Sequence, residues 1–160
     1  HNIVFVGNNI RGDEINNRYI YSVKDKGLLI YGNPNSWNNS ICKGKISLAN
    51  EAKTYTHSKI CLNAHNQDHL DFEVFNYRIF TILACKGFII SDRSESLEKE
   101  FRDSLVFTDG YDDLADKCDF YLANPEKVEK FKRNGYDLVL SKHTFKHRIN
   151  NLVNWLETKI

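Results

Sequence analysis

The feature that most constrains this chain is the shortness of its apolar runs and the regularity of what separates them. Ile3-Val4-Phe5-Val6, Leu28-Leu29-Ile30-Tyr31, Ile60-Cys61-Leu62, Phe88-Ile89-Ile90 and Leu105-Val106-Phe107 are each only three or four residues long. Apolar runs of that length, without polar alternation, read as strands buried on both faces. Between them lie segments with helical spacing. Asp13 to Lys24 carries Ile15, Tyr19, Ile20 and Val23, and Asn50 to Ser58 is a shorter helix. Asn76 to Cys85 places Ile79, Phe80, Leu83 and Ala84 on one face, and Asp112 to Leu122 follows the last strand. Asn124-Pro125 is a helix start, with Val128, Phe131 and Leu138 beyond it. Thr144 opens a final helix whose Phe145, Ile149, Leu152, Val153 and Leu156 are expected to face inward. Lys45 to Leu48 reads as a short strand, and residues 33–40 and 65–72 read as loops.

Strands that alternate with helices imply a parallel sheet covered on both faces: an α/β, Rossmann-like, doubly wound domain. At 160 residues the chain is one such domain. It contains no methionine and its first strand begins at once, so we expect a domain, residues 1–160, excised from a longer protein. No run approaches the ~20 apolar residues of a membrane span. Lys plus Arg number 22 and Asp plus Glu 21, a balance that argues against nucleic acid as a partner. Cys42, Cys61, Cys85 and Cys118 include no C-x-x-C pair, which disfavours a zinc knuckle and fits a reducing, cytoplasmic location. The Asn38-Asn39-Ser40 sequon, in an Asn-rich stretch, reads as chance.

In such sheets ligands bind at the carboxyl ends of the strands. After the first strand stands Gly7-Asn8-Asn9-Ile10-Arg11-Gly12, which is neither G-x-G-x-x-G nor G-x-x-x-x-G-K-[ST]. It is either a plain β-to-α turn or a phosphate contact. Asn63-Ala64-His65 is either a polar loop or part of a ligand face. In the segment Glu73 to Asp92, Asn76 can cap a helix. Arg78 falls in that helix's first turn, where a cation opposes the macrodipole unless an anion is close. Either a diphosphate or Glu73 could supply the negative charge. Asp92 is placed to cap the next helix. His143 and His147 are four apart, but no acid lies between them and no third ligand is evident, so a metal site is disfavoured.

The run Asn76-Tyr77-Arg78-Ile79-Phe80-Thr81-Ile82-Leu83-Ala84-Cys85-Lys86-Gly87-Phe88-Ile89-Ile90-Ser91-Asp92 resembles the N-x-R-x-F-E-x-L-A-C-G-G-F-x-x-x-D signature of CgeB-like glycosyltransferases, GT-B enzymes of glycosyltransferase group 1. Val4 to Asn8 resembles the strand that opens their carboxy-terminal half. Lys59 to His65 resembles K-I-x-L-N-x-H, Asp113-Leu114 with Tyr121-Leu122 a D-L…Y-L helix, and His143 to Arg148 the closing H-T-[YF]-x-x-R. The matches run in order through nearly the whole chain.

The resemblance implies the donor-binding half of a GT-B glycosyltransferase. Joined to an amino-terminal acceptor-binding domain, it would transfer a sugar from a nucleoside diphosphate sugar to an acceptor hydroxyl; alone it would be inactive. No bound metal or other cofactor is implied, since backbone N–H groups and basic side chains would carry the leaving-group charge. The donor-binding residues on this basis are Gly7, Asn8, Arg11, Asn63, His65, Glu73, Asn76, Tyr77, Arg78, Thr81, Lys86, Gly87 and Asp92, with His65 the local candidate for a catalytic base. The chain departs from the pattern at two points. The E-x7-E pair of the wider group, whose second Glu grips ribose hydroxyls, reads Glu73-x7-Thr81, and the first glycine of A-C-G-G is Lys86. A threonine offers one uncharged contact where a carboxylate accepts two hydroxyls. The alternative is therefore a degenerate module that binds a sugar nucleotide or a protein without turnover.

Overall fold

All five apolar runs form strands in the computed structural model, which describes residues 1–9, 14–37 and 41–159, with the backbone alone for 14–17. They are β1 (Ile3–Val6), β2 (Leu28–Tyr31), β3 (Ile60–Asn63), β4 (Ile89–Asp92) and β5 (Val106–Thr108). Every pairing is parallel and the order is β2-β1-β3-β4-β5. The register sets Ile3 beside Leu28 and Ile60, and Leu62 beside Ile90. The order reverses between β1 and β3, and that switch point is where an open α/β sheet leaves a crevice.

Alternate residues of each strand feed two cores. On one face Ile3, Phe5, Ile60, Leu62 and Ile90 meet Tyr19, Ile20 and Val23 of and just beyond α1 (Glu14–Tyr21), and Leu114 and Cys118 of α6 (Tyr111–Ala123). On the other, Val4, Cys61, Ile89 and Phe107 meet α2 (Leu48–His57) through Tyr55, α4 (Tyr77–Ala84) through Ile79, Ile82 and Leu83, α5 (Glu95–Phe101) through Leu97 and Phe101, and α7 (Glu129–Lys142) through Val139. The helices α4 and α7 approach closely at Gly135, where an added Cβ would lie 2.4 Å from Leu83 Cδ2. Among the described residues no helix is long and apolar enough to cross a membrane.

Three expectations need correction. Lys45–Leu48 is not a strand. Instead the chain at Ile41–Lys43 bridges alongside β2, with Ile30 N–H donating to Ile41 O and Lys43 N–H to Ile30 O. Gly44, at φ +84°, then turns it away. The 65–72 segment is not all loop: α3 (Gln67–Asp71) forms behind Asn66, whose side chain accepts the His69 N–H at 2.9 Å.

The third correction concerns α8 (Phe145–Glu157). It forms where Thr144 predicts, yet its apolar residues do not face inward. Phe145 is 85% exposed, Ile149, Leu152, Val153 and Leu156 are exposed too, and so is every residue from 148 to 159. Both sheet faces are already covered by the preceding helices, which leaves this stripe no core to join. The Asn38 sequon lies outside the described residues.

Candidate functional site

A cleft of ≈ 570 Å³ opens at the switch point, over the carboxyl end of β1. Its floor is Phe5, Val6 and Gly7. One wall is Tyr31, Gly32 and Trp37, and the other is the first turn of α4 (Asn76, Tyr77 and Arg78) with the first turn of α2 (Glu51). A parallel α/β unit brings both helix starts to this edge, because each helix runs back antiparallel to its strand.

The loops after β1 and β2 are joined directly. Trp37 Nε1 donates to Gly7 O at 2.8 Å, and Asn8 Oδ1 accepts the Asn33 N–H at 2.7 Å. Gly32 has no room for a side chain, since a Cβ would lie 2.2 Å from Gly7 O. At Gly7 an added Cβ would stand 2.5 Å from Arg78 Nη2, so a side chain there would displace the guanidinium.

Arg78 is the centre of the arrangement. Its guanidinium stacks over Phe5, 4.5 Å from the ring centroid, and Nη1 donates to Asn63 Oδ1 at 3.1 Å. Burial lowers its pKa, while neighbouring Tyr55, Tyr77, Asp92 and Glu51 oppose that shift. An arginine stays cationic even so. Among the described residues it forms no ion pair. Glu73 does not neutralise it: that side chain accepts a short hydrogen bond from Ser96 Oγ instead. Asn76 occupies the N-cap position of α4 without capping it, because its amide Nδ2 donates to Ala64 O at 3.0 Å. An unpaired cation and an uncapped helix start therefore face the same cleft, the combination that receives an anion such as a phosphate.

Behind Arg78 runs a buried polar chain. Asn63 Nδ2 donates to Ser91 Oγ at 2.9 Å, and Ser91 Oγ donates to Asp92 Oδ1 at 3.0 Å. Asp92 also accepts from His65, at 2.7 Å from Nδ1 and 2.6 Å from the backbone N–H, and does not cap α5 as expected, since Ser94 does. The His65 Nε2 accepts the Asn76 N–H at 3.4 Å, so the proton resides on Nδ1. With both nitrogens engaged and the residue 2% exposed, His65 positions the α4 entrance and is not placed to take a substrate proton.

The family described as "Glycosyl transferase-like" matches residues 14–154. The chain belongs to that family.

No curated protein sequence matches this glycosyl transferase-like domain. Solved structures share its fold at low identity. Sucrose-phosphate synthase from Thermosynechococcus elongatus superposes with a TM-score of 0.72 at 16% identity, over 99% of this chain and 46% of that one. The C-terminal domain of a glycosyl transferase group 1 family protein from Francisella tularensis gives 0.63 at 16%, over 90% and 87%. The C-terminal CMP-Kdo binding domain of WaaA from Acinetobacter baumannii gives 0.58 at 12%, over 87% and 89%. The domain thus spans less than half of the synthase but most of either excised C-terminal domain. Its fold is the expected α/β, Rossmann-like sheet of one GT-B half.

The structure gathers most of the residues singled out from the sequence at this cleft. Gly7, Asn8, Asn76, Tyr77 and Arg78 line it, and Asn63, His65 and Asp92 form the supporting chain. Four others, Glu73, Thr81, Lys86 and Gly87, do not line it, and Glu73 accepts from Ser96 Oγ. Arg11 lies outside the described residues. Thr81 does not reach the cleft, because its hydroxyl donates to Tyr77 O within its own helix. Lys86 and Gly87 are beyond the other end of α4, roughly 12 Å away for an eight-residue helix. There Lys86 Nζ sits over the Tyr136 ring, and a Cβ on Gly87 would lie 2.5 Å from Ile82 Cγ2. Those two positions serve helix packing. Lys86 adopts φ 55°, a left-handed conformation that explains a glycine in the family signature.

Sequence reasoning missed Trp37, Lys45, Ile46, Glu51 and His69, all of which line the cleft. A signal for Glu51 existed: it lies in the first turn of a helix leading into a buried strand, and this architecture brings such turns to the ligand edge. His143 and His147 are spent locally, on Glu100 at 3.0 Å and Thr144 at 2.7 Å.

Proposed function

We propose that this domain binds the nucleoside diphosphate of a sugar donor, with Arg78 and the uncapped start of α4 holding the diphosphate. The observation that carries the reading is the lone guanidinium, buried against Phe5 and opening on a cleft large enough for a nucleotide. Gly7 and Asn8 approach from the β1 turn, and Asn76 and Tyr77 from the helix. Lys45, which lines the cleft, and Arg11 are the further candidate cations. In transfer, charge builds on the leaving diphosphate, and Arg78 with the helix N–H groups stabilises it there. These groups can do so without a metal, so we propose metal-independent transfer to a hydroxyl.

The acceptor side of the cleft belongs, on this reading, to an amino-terminal partner domain, and the nearest subtype is the CgeB-like one. The WaaA domain of similar fold binds CMP-Kdo, which supports a nucleotide-sugar ligand here. The four free thiols fit a cytoplasmic setting. A degenerate module loses its main support, because Thr81 and Lys86 lie off the cleft.

The test is calorimetric titration of the chain with ADP, CDP, GDP and UDP. At least one should bind with a stoichiometry of one. Absence of binding by all four would overturn the reading.

A further inference from the structure

Glu51 is the single carboxylate among the described residues that line the cleft. It is 7% exposed, and its side chain makes one hydrogen bond among those residues, accepting the Tyr55 hydroxyl on Oε1 at 2.8 Å. Burial raises the Tyr55 pKa, so that phenol stays protonated and donates. No cation forms an ion pair with Glu51 among the described residues. A carboxylate offers about four acceptor sites, and most of these are unspent here. Holding such a group away from water without partners is costly unless a ligand supplies donors.

A second group in the same cleft is also unspent. The His69 Nδ1 is the one buried side-chain polar atom without a partner among the described residues. Meanwhile Thr81, where the family pattern has a hydroxyl-gripping glutamate, points its hydroxyl into its own helix. The one lining carboxylate among the described residues therefore comes from α2 and not from α4.

We propose that Glu51 accepts the vicinal hydroxyls of the donor, those of its ribose or of its sugar, and so sets specificity for a hydroxylated ligand. This rests on the nucleotide-sugar reading above. A carboxylate placed beside an arginine divides the donor's chemistry: the cation takes the phosphates and the anion takes the polyol.

The test compares wild type with Glu51→Gln by calorimetry. The probes are pyrophosphate, the best-binding nucleoside diphosphate, its 2′,3′-dideoxy counterpart and its glucose ester. Gln keeps an acceptor for Tyr55, and Glu51→Asp keeps the charge as a rescue control. Glu51→Gln should leave pyrophosphate binding unchanged and weaken the hydroxylated probe about tenfold, with Glu51→Asp recovering part of the loss. Loss on the ribonucleotide but not on its dideoxy form assigns the ribose. Loss on the glucose ester alone assigns the sugar. Equal affinity of wild type and Glu51→Gln for every probe overturns the proposal while the donor reading stands. Failure of wild type to bind any probe overturns both.

Discussion

The guanidinium carbon of Arg78 lies over the ring of Phe5, 4.5 Å from its centroid. This contact fixes a first-turn helix cation to the floor of the first strand. A cation at that place on a helix is locally unfavourable, and the aromatic face with Asn63 compensates. The fork and the planar stack are both specific to arginine. Arg78→Ala should weaken nucleoside diphosphate binding at least about tenfold, and Arg78→Lys should restore only part of it. Calorimetry reads the affinities and circular dichroism checks that the fold persists. Unchanged affinity in a folded Arg78→Ala chain removes the residue from the site.

The contact of Gly32 with Gly7 O tests the rigidity of the opposite wall. A Cβ 2.2 Å from a backbone carbonyl cannot be relieved by a rotamer change. Gly32→Ala should cost about 3 kcal/mol in urea unfolding, and a loss under about 0.5 kcal/mol would show that the two loops move apart readily.

Lys86 should behave as a packing residue. Relief of its left-handed backbone in Lys86→Gly gains about 1 kcal/mol, against roughly 0.5 kcal/mol for an exposed cation over Tyr136. The melting temperature should rise by about 1–2 °C, with nucleotide affinity unaltered. A fall in affinity would bring Lys86 back into donor binding.

Trp37 gives the cleft an optical reporter. It is 4% exposed and lines the cavity, whereas Trp155 on α8 is 56% exposed. Nucleotide should change the emission of wild type and of Trp155→Phe, but not of Trp37→Phe. A signal that follows Trp155 would put the ligand elsewhere.

His143 links stability to pH. Packing against Phe101 and Phe80 lowers its pKa from 6.5, mainly through burial, with Glu100 opposing and Arg148 and Lys142 adding to the shift. The unfolded chain thus takes the proton first as pH falls. The contribution is present above pH 6.5 and is lost on acidification through the lower folded value. His143→Gln should flatten the decline in unfolding free energy between about pH 7 and 5, and an identical slope in both proteins would refute the assignment.

The sheet was legible because its strands carry their burial in their composition: Ile3 to Phe5 and Ile60 to Leu62 are apolar on both faces, and only a central parallel strand needs that. The helix at Phe145 was legible as a helix but not in its orientation. Periodicity reports an apolar stripe, and nothing local says whether the sheet has a free face to receive it. The site divided the same way. Arg78 announced itself by a charge that conflicts with a helix start, and Asn76 by its place at that start. Glu51 carried only the signal of its place in a first turn, since a glutamate early in an amphipathic helix is ordinary, and its burial depends on Tyr55 and on a crevice assembled from distant segments. Lys86 misled because its place in a signature reflects backbone handedness and not contact with a ligand.

The bond from Trp37 to Gly7 and the bond from Asn8 to Asn33 mean that the rim between the first two strands is stitched before anything arrives. A donor would meet a finished mould on that side. Little ordering entropy is then left to be lost on capture, and any closing motion on binding would come from the opposite lip.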